Sequence, residues 1–441
     1  MDRGDIRPNT GKVFRWLGLV GICGLTVLGT ASSVFTLLAF AVVAIQIVFG
    51  DEDFSWQMIF ALNSFSTIFK LSPGSTSLFT YILLLLCVML FLKRRTIPPS
   101  WLLLAIYLVA VPVLTVQLKA FNVLKWIKLL CGLLLAYYYF DDNAPRNDTE
   151  VFWAFIFGLL GASFTRLIDS HVFRIERFLE EIDTVGDAGK EFMDVVRYAG
   201  LSNDANYYTV NLIISLCLLI ILLYERKTSL PLFLALAAML LYFDVSTYSK
   251  SAMLMLILPI SVFVYTVKKS GRRSLRVLLI LGAAGAVAFL AITGGGAFGV
   301  VLSRLSAGEG DLSKLTTGRT TIWLWNLEFF AKHPGWFLIG KGINAALING
   351  RGHHNTYIEC IYHLGLIGSG LLLSLLGQTG PSKHPKHRNL LNYCILITVL
   401  IMYMFLSALL FYDFPFQIIL VLIVLNMDFD HSSEPHIPSR R

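Results

Sequence analysis

Along this chain, uncharged apolar runs of about a dozen to twenty residues follow one another, and long stretches rich in charge, glycine and hydroxyl groups interrupt them only twice. A helix needs roughly 20 apolar residues to cross the hydrocarbon core of a bilayer, somewhat fewer with polar anchors at its ends. Lipid satisfies no backbone N–H or C=O group, so such runs must be helices. The predicted spans are Leu17–Gly29, Val34–Phe49, Trp56–Phe69, Leu78–Leu92, Trp101–Val116, Val123–Phe140 and Val151–Leu167, then Tyr208–Tyr224, Leu230–Phe243, Ala252–Val267, Leu275–Ile292, Tyr357–Leu376, Leu391–Leu410 and Phe414–Leu425. Trp56–Phe69 is the weakest, and it and one of the first pair have an interfacial or re-entrant alternative. The expectation is therefore an all-α polytopic membrane protein with roughly twelve to fourteen transmembrane helices. Residues 1–441 form a single integral membrane domain, and its last helices occupy 357–425.

Composition agrees. Of 441 residues, 56% are hydrophobic and 15% charged, and the mean hydropathy of +0.69 is far above that of a domain that must cover itself with polar surface. The first apolar run leads directly into a second without a small-residue cleavage site, so it is expected to stay in the membrane. Basic clusters fall on alternate connections: Arg3, Arg7, Lys12 and Arg15; Lys93-Arg94-Arg95; Arg226-Lys227; Lys268-Lys269 with Arg272-Arg273; Lys383, Lys386 and Arg388; and Arg440-Arg441. By the positive-inside rule these connections and both termini are cytoplasmic. The net charge of +8 then records topology and implies no nucleic-acid partner. The six cysteines lie in apolar spans without metal or disulfide spacing and read as small buried side chains.

That orientation places both long polar stretches, 168–206 and 293–355, on the outer side, and loops this long in a compact membrane protein are usually functional. In the first, mixed charged and apolar residues from Val172 to Val196 predict one or two surface amphipathic helices. In the second, Thr320–Ala331 predicts a short interfacial helix anchored by Trp323, Trp325, Phe329 and Phe330 and ended by His333-Pro334-Gly335.

Candidate chemistry gathers in these outward segments. Arg319 starts the short helix, the wrong end for a cation unless an anion sits there too. A lipid-headgroup arginine is the plain alternative. Lys250 lies between two spans, where charge is expensive, and a pair with Asp244 competes with a ligand role. Arg197 precedes a helix whose N-cap is Asn206, or Asp204 if the helix starts earlier; taken alone, it reads as an ordinary loop arginine. His353 and His354 stand before Asn355, an N-cap candidate for the next span. A neutral histidine suits general-base work, although paired histidines at a membrane surface are often only polar anchors. Glu359, one turn further on, could orient a histidine or bind a hydroxyl. His333, His353, His354 and His363 lack zinc spacing, and neither a P-loop nor a dinucleotide fingerprint appears. Three cations and a histidine pair beside apolar spans suit transfer from a lipid-linked pyrophosphate. The cations would hold the leaving group and a histidine would take a proton from an acceptor hydroxyl.

LTTGRTTIW (315–323), HP (333–334), GKG (340–342) and HHNTYIECIYHLGLIG (353–368), with RYAGLSNDANYY (197–208) and TYSKSA (247–252) upstream, resemble the signature of the O-antigen ligase and polymerase superfamily. The principal match covers roughly a hundred residues, and the first ~150 residues match in hydropathy alone. The resemblance implies a bundle in the GT-C style in the bacterial cytoplasmic membrane. It implies an inverting glycosyltransferase that needs no metal or nucleotide cofactor and works on an undecaprenyl-pyrophosphate-linked glycan donor at the outer face. Arg319, with Arg197 and Lys250, would bind the pyrophosphate; many relatives carry arginine in place of Lys250. His354 falls at the family's base position, with His353 as its rival. DANYY, TYSKSA and LTTGRTTIW favour a polymerase of capsule, exopolysaccharide or O-antigen repeat units, with a chain-length regulator as a further partner. An O-antigen ligase acting on lipid A-core, the lipopolysaccharide acceptor, is the runner-up. A transporter or flippase of lipid-linked sugars is the alternative of another class; it would need polar residues along a path through the bilayer, whereas this chain concentrates them on one side.

Overall fold

The computed structural model describes residues 10–114, 123–140, 147–168, 172–179, 198–202, 204–247, 249, 251, 255–270, 318–343, 345–379, 390–409 and 413–429. Among these residues all regular structure is helical. The first half holds α1 (Thr10–Leu28), α2 (Ser33–Phe49), α3 (Glu52–Asn63), α4 (Leu78–Arg94), α5 (Pro99–Leu114), α6 (Val123–Tyr139) and α7 (Asp148–Leu167). Next come the one-turn α8 (Glu176–Leu179), α9 (Ala205–Tyr224), α10 (Leu230–Ser246) and α11 (Ile257–Ser270). Further along come α12 (Arg319–Lys332), α13 (Pro334–Ile339) and α14 (Thr356–Gln378), followed by α15 (Leu390–Met402) and α16 (Asp413–Leu425).

Among the described residues four helices, α1, α7, α9 and α14, are both long and apolar enough to cross a membrane, and six more are apolar over 10–17 residues. The outer helices present apolar side chains such as Phe14, Val20, Val34, Ile45, Leu103 and Ile106 outward. In water such a belt would be covered by a partner; against lipid it is solvated. α9 is apolar on every face and buried along nearly its whole length, as a central helix must be. It packs against α7, α10, α11 and α15.

The buried α3 crosses α7 where Gly158 lets the backbone of Ala61 approach; a Cβ at Gly158 would lie 2.4 Å from the Ala61 carbonyl oxygen. Sequence periodicity placed a span over 56–69, but α3 ends at Asn63, and turns then lead to α4. α15 likewise stops at Met402, short of the predicted Leu410. The irregular stretch that follows finds partners elsewhere: Thr356 N–H donates to Tyr403 O at 2.8 Å and its hydroxyl to Leu406 O at 2.7 Å, while Ala408 N–H donates to that hydroxyl at 3.0 Å. Of the amphipathic stretch 172–196 the described part is α8 with its lead-in, whose Ile175 and Phe178 pack with Val27, Phe65, Ile68, Ala162 and Leu201. The predicted span 275–292 lies outside the described residues.

The bundle has two polar ends. At one, Arg15 meets Asp51 at 2.9 Å and Asp53 at 3.1 Å, Arg94 pairs with Glu52, and Lys12 with Glu150. The α7 N-cap Asn147 donates its N–H to Asp53 there at 2.9 Å. α3 and α7 run from this end to the other, where Asn63 donates to Asp413 at 2.6 Å. α9 starts at that other end, so Arg226 and Lys227 beyond its last turn fall on the same side as Arg15 and Arg94.

Candidate functional site

The second polar end is built around the N-termini of α9, α12 and α14. α14 begins where Asn355, in extended conformation, accepts through Oδ1 from Tyr357 N–H at 3.0 Å and Ile358 N–H at 3.1 Å, satisfying two orphan amides of the first turn. α9 begins at Asp204, whose Oδ1 accepts from Asn206 N–H at 2.6 Å; Asn206 itself is one residue inside the helix. α12 begins at Arg319, directly after Gly318 in the left-handed conformation at φ 79° that glycine adopts without cost.

His354 is where these elements meet. Burial depresses its basicity most; the charge of Arg319 and then of Arg351 pushes the same way, and Asp204 pushes back. An arginine at a helix N-terminus, a carboxylate capping another helix and a histidine beside a third cap thus act on one another. Tyr207 stands among them, in electrostatic reach of Asp204, Glu359 and Arg319. Its hydroxyl donates to Ser407 O at 2.6 Å and accepts from Ser407 N–H at 3.1 Å. Below, buried Glu359 accepts from Leu409 N–H at 3.1 Å and feels the charge of Lys125, which heads α6.

The two histidines part company. His354 is half-buried and adopts φ 48°, left-handed for a non-glycine residue. His353 is 1% exposed, with Nδ1 2.8 Å from Asn326 Oδ1 on α12 and its ring 4.5 Å from that of Tyr362. Arg197 and Lys250 lie outside the described residues. Asp244, the carboxylate that competes for Lys250, is buried beside Thr209. Among the described residues, no group of three or more His, Cys, Asp or Glu side chains is placed to hold a metal ion.

The GKG stretch braces the site from behind. α14 is kinked at Gly365, φ 66°, and carbonyls freed near the kink accept from the loop: Tyr362 O from Lys341 N–H at 2.7 Å and His363 O from Gly342 N–H at 2.9 Å. A Cβ on Gly340 or Gly365 would lie 2.4 Å from backbone of the other's segment, so both positions require glycine. The Lys341 ammonium sits over the rings of Phe329, Trp336 and Tyr362, at 5.0, 6.0 and 5.8 Å. Phe330, expected as an interfacial anchor, turns inward onto Tyr362 instead, and Leu324 and Leu327 form the exposed apolar face of α12.

Asn326 and Arg351 carried no sequence signal. Tyr207 and Asp204 lay inside the quoted DANYY segment, where Asp204 was considered only as a cap. Compared with protein-family models, curated proteins and solved structures, the chain matches none.

Proposed function

We propose that the protein is a polytopic glycosyltransferase of the bacterial cytoplasmic membrane that joins undecaprenyl-pyrophosphate-linked repeat units into polysaccharide at the outer face. The observation that carries this reading is the convergence of Arg319, at the head of α12, with His354, beside the cap of α14, at the end of the bundle opposite the ion-paired basic residues. Both termini and the paired end face the cytoplasm in this proposal, and roughly twelve to fourteen helices span the bilayer.

The chemistry follows from the charges. An acceptor hydroxyl attacks the anomeric carbon of the donor, the bond from that carbon to the diphosphate oxygen breaks, and the configuration inverts. His354, neutral because burial and two guanidinium groups oppose its protonation, takes the hydroxyl proton. Arg319, at the head of α12, stabilises the charge gathering on the departing diphosphate. A bound diphosphate offsets the guanidinium charge that weakens His354, so the base strengthens once the donor is in place. Asn355 holds the loop at the head of α14, and Glu359 with Tyr207 offers hydroxyl-binding groups one turn below.

The test is to incubate the purified protein with an undecaprenyl-pyrophosphate-linked repeat unit, alone or with lipid A-core, and to compare the wild type with Arg319→Ala and His354→Ala. A ladder of longer lipid-linked glycans, lost in both variants, is expected. Transfer onto lipid A-core alone would make the protein a ligase. Intact protein that transfers nothing yet moves the lipid-linked sugar across proteoliposomes would replace the enzyme with a transporter.

A further inference from the structure

Two adjacent histidines precede Asn355, and the reading above uses one of them. We infer that His353 is a positioning residue, a neutral imidazole whose Nδ1–H is bonded to Asn326 and which fixes the segment carrying His354 against the helix carrying Arg319. The inference rests on the proposed reaction only for the role of His354; the bond and the tautomer stand without it.

The tautomer follows from the donor and acceptor inventory. Asn326 is 1% exposed, and its Nδ2 donates to Ile322 O at 2.8 Å. A backbone carbonyl only accepts, so the amide is oriented and Oδ1 is the atom that faces His353. Oδ1 only accepts in turn, so the proton lies on Nδ1 of His353, 2.8 Å away. Nε2 then bears a lone pair, and it is buried with no hydrogen-bond partner among the described residues. An acceptor hydroxyl cannot reach a nitrogen enclosed in this way, and a proton placed there would find no acceptor. The ring is enclosed by Tyr362, at 4.5 Å, and by His363, edge-on at 5.4 Å. Burial, followed by the neighbouring His363 and His354, pushes its basicity down to about 3.

The position of the bond gives it a consequence. Asn326 follows Arg319 by seven residues, about two turns, so it lies on the same face of α12 as the arginine. His353 and Asn355 flank His354, one tied to α12 and the other capping α14. The left-handed backbone of His354 between them is a strained conformation that a non-glycine residue bears only where its surroundings hold it. The doubled histidine is therefore one half-buried working group and one buried anchor.

The first test needs no activity: histidine-¹⁵N spectra of the full chain in nanodiscs, with the His353 signal assigned by its loss in His353→Asn. A neutral Nδ1–H tautomer unchanged from pH 8 to pH 5 is expected; an Nε2–H tautomer, or titration within that range, overturns the proposal. The second test is kinetic. Asparagine places an amide donor near the position of Nδ1, so His353→Asn retains transfer within about threefold, whereas His353→Phe and Asn326→Leu lower kcat by about 10- to 100-fold with KM for the donor little changed. The pH profile keeps its shape in all three, because His354 still does the titrating. Loss of transfer in a folded His353→Asn as complete as in His354→Ala would make His353 the base and overturn the anchor. A wild type that transfers nothing would sink the glycosyltransferase reading, and the spectra alone would then decide the anchor.

Discussion

The two ends of the bundle are both rich in charge and are organised in opposite ways. At the end that gathers Lys12, Arg15, Arg94, Asp51, Glu52, Asp53 and Glu150, opposite charges meet at contact distance, while the paired Asp51 also caps α3 and the paired Asp53 also accepts from Asn147 and Gln57. At the other end, two guanidinium groups and one carboxylate, Asp204, bear on a histidine, an arginine heads a helix, and the carboxyl of Asp244 is buried. Reciprocated charges need nothing further and hold helices in place. Arg319 and Arg351 oppose protonation of His354, and in the proposed reaction a bound diphosphate would relieve that opposition.

Substitutions separate the two ends. The largest effect belongs to the site: His354→Ala lowers glycan transfer by about 10²- to 10⁴-fold, the usual contribution of a general base, with the thermal midpoint little changed. Arg94→Ala is next and acts through stability. Arg94 donates to Tyr138 O, pairs with Glu52 and lies over the Tyr138 ring, joining the ends of α4, α6 and α3. Its side chain is 9% and that of Glu52 13% exposed, so removing it leaves a carboxylate with little water and costs about 3 kcal/mol. Detergent-solubilised variant should unfold at clearly lower temperature while its folded fraction transfers glycan at the wild-type rate. A selective loss of transfer at unchanged stability would break the contrast between the ends.

Acidification provides a finer probe. His353 is held near 3, chiefly by burial, against about 6.5 in the unfolded chain. Between those values the unfolded state binds more protons, so this residue's contribution to stability is complete above pH 6.5 and declines as the pH falls toward 3, by at most about 1.4 kcal/mol per unit. Unfolding midpoints at pH 7.5 and pH 5 should therefore fall further apart in the wild type than in His353→Asn. Equal gaps would mean that His353 is hydrated in the folded protein.

The helices were legible where an apolar run coincides with a helix. α9 begins three residues before its predicted start because Asp204, not Asn206, supplies the cap, and both end at Tyr224. The failures have one cause, competition from distant groups. The run from Leu391 to Leu410 is uncharged and mostly apolar, yet Thr356 and Glu359 of α14 and Tyr207 of α9 capture the backbone after Met402. GKG was visible as a motif, but its partner, the kink at Gly365, lies in a segment that hydropathy reads as continuous helix. In the site, sequence singled out the charged and capping residues because charge beside an apolar run is conspicuous. Asn326 was invisible: a lone asparagine on an aromatic helix gains its meaning from a histidine 27 residues later. Sequence alone also could not rank His353 against His354, since exposure separates them and spacing does not.

The smallest expected effect is the sharpest test of the comparison. Arg15 bridges Asp51 and Asp53 and lies 5.9 Å from the centre of the Phe54 ring, but 43% of its side chain is exposed, as is 43% of that of Asp51. Water and salt screen such a pair, and Arg15→Ala leaves Asp51 still capping α3 through Phe54 N–H and Asp53 still accepting from Asn147 and Gln57. Stability should fall by less than about 1 kcal/mol, the difference should shrink in high salt, and transfer per folded molecule should not change. This end has enough reciprocated contacts that one exposed pair is dispensable, whereas the proposed reaction relies on His354 alone as its base. A loss of transfer in Arg15→Ala at full stability would show that the paired end is coupled to the site across the length of the bundle.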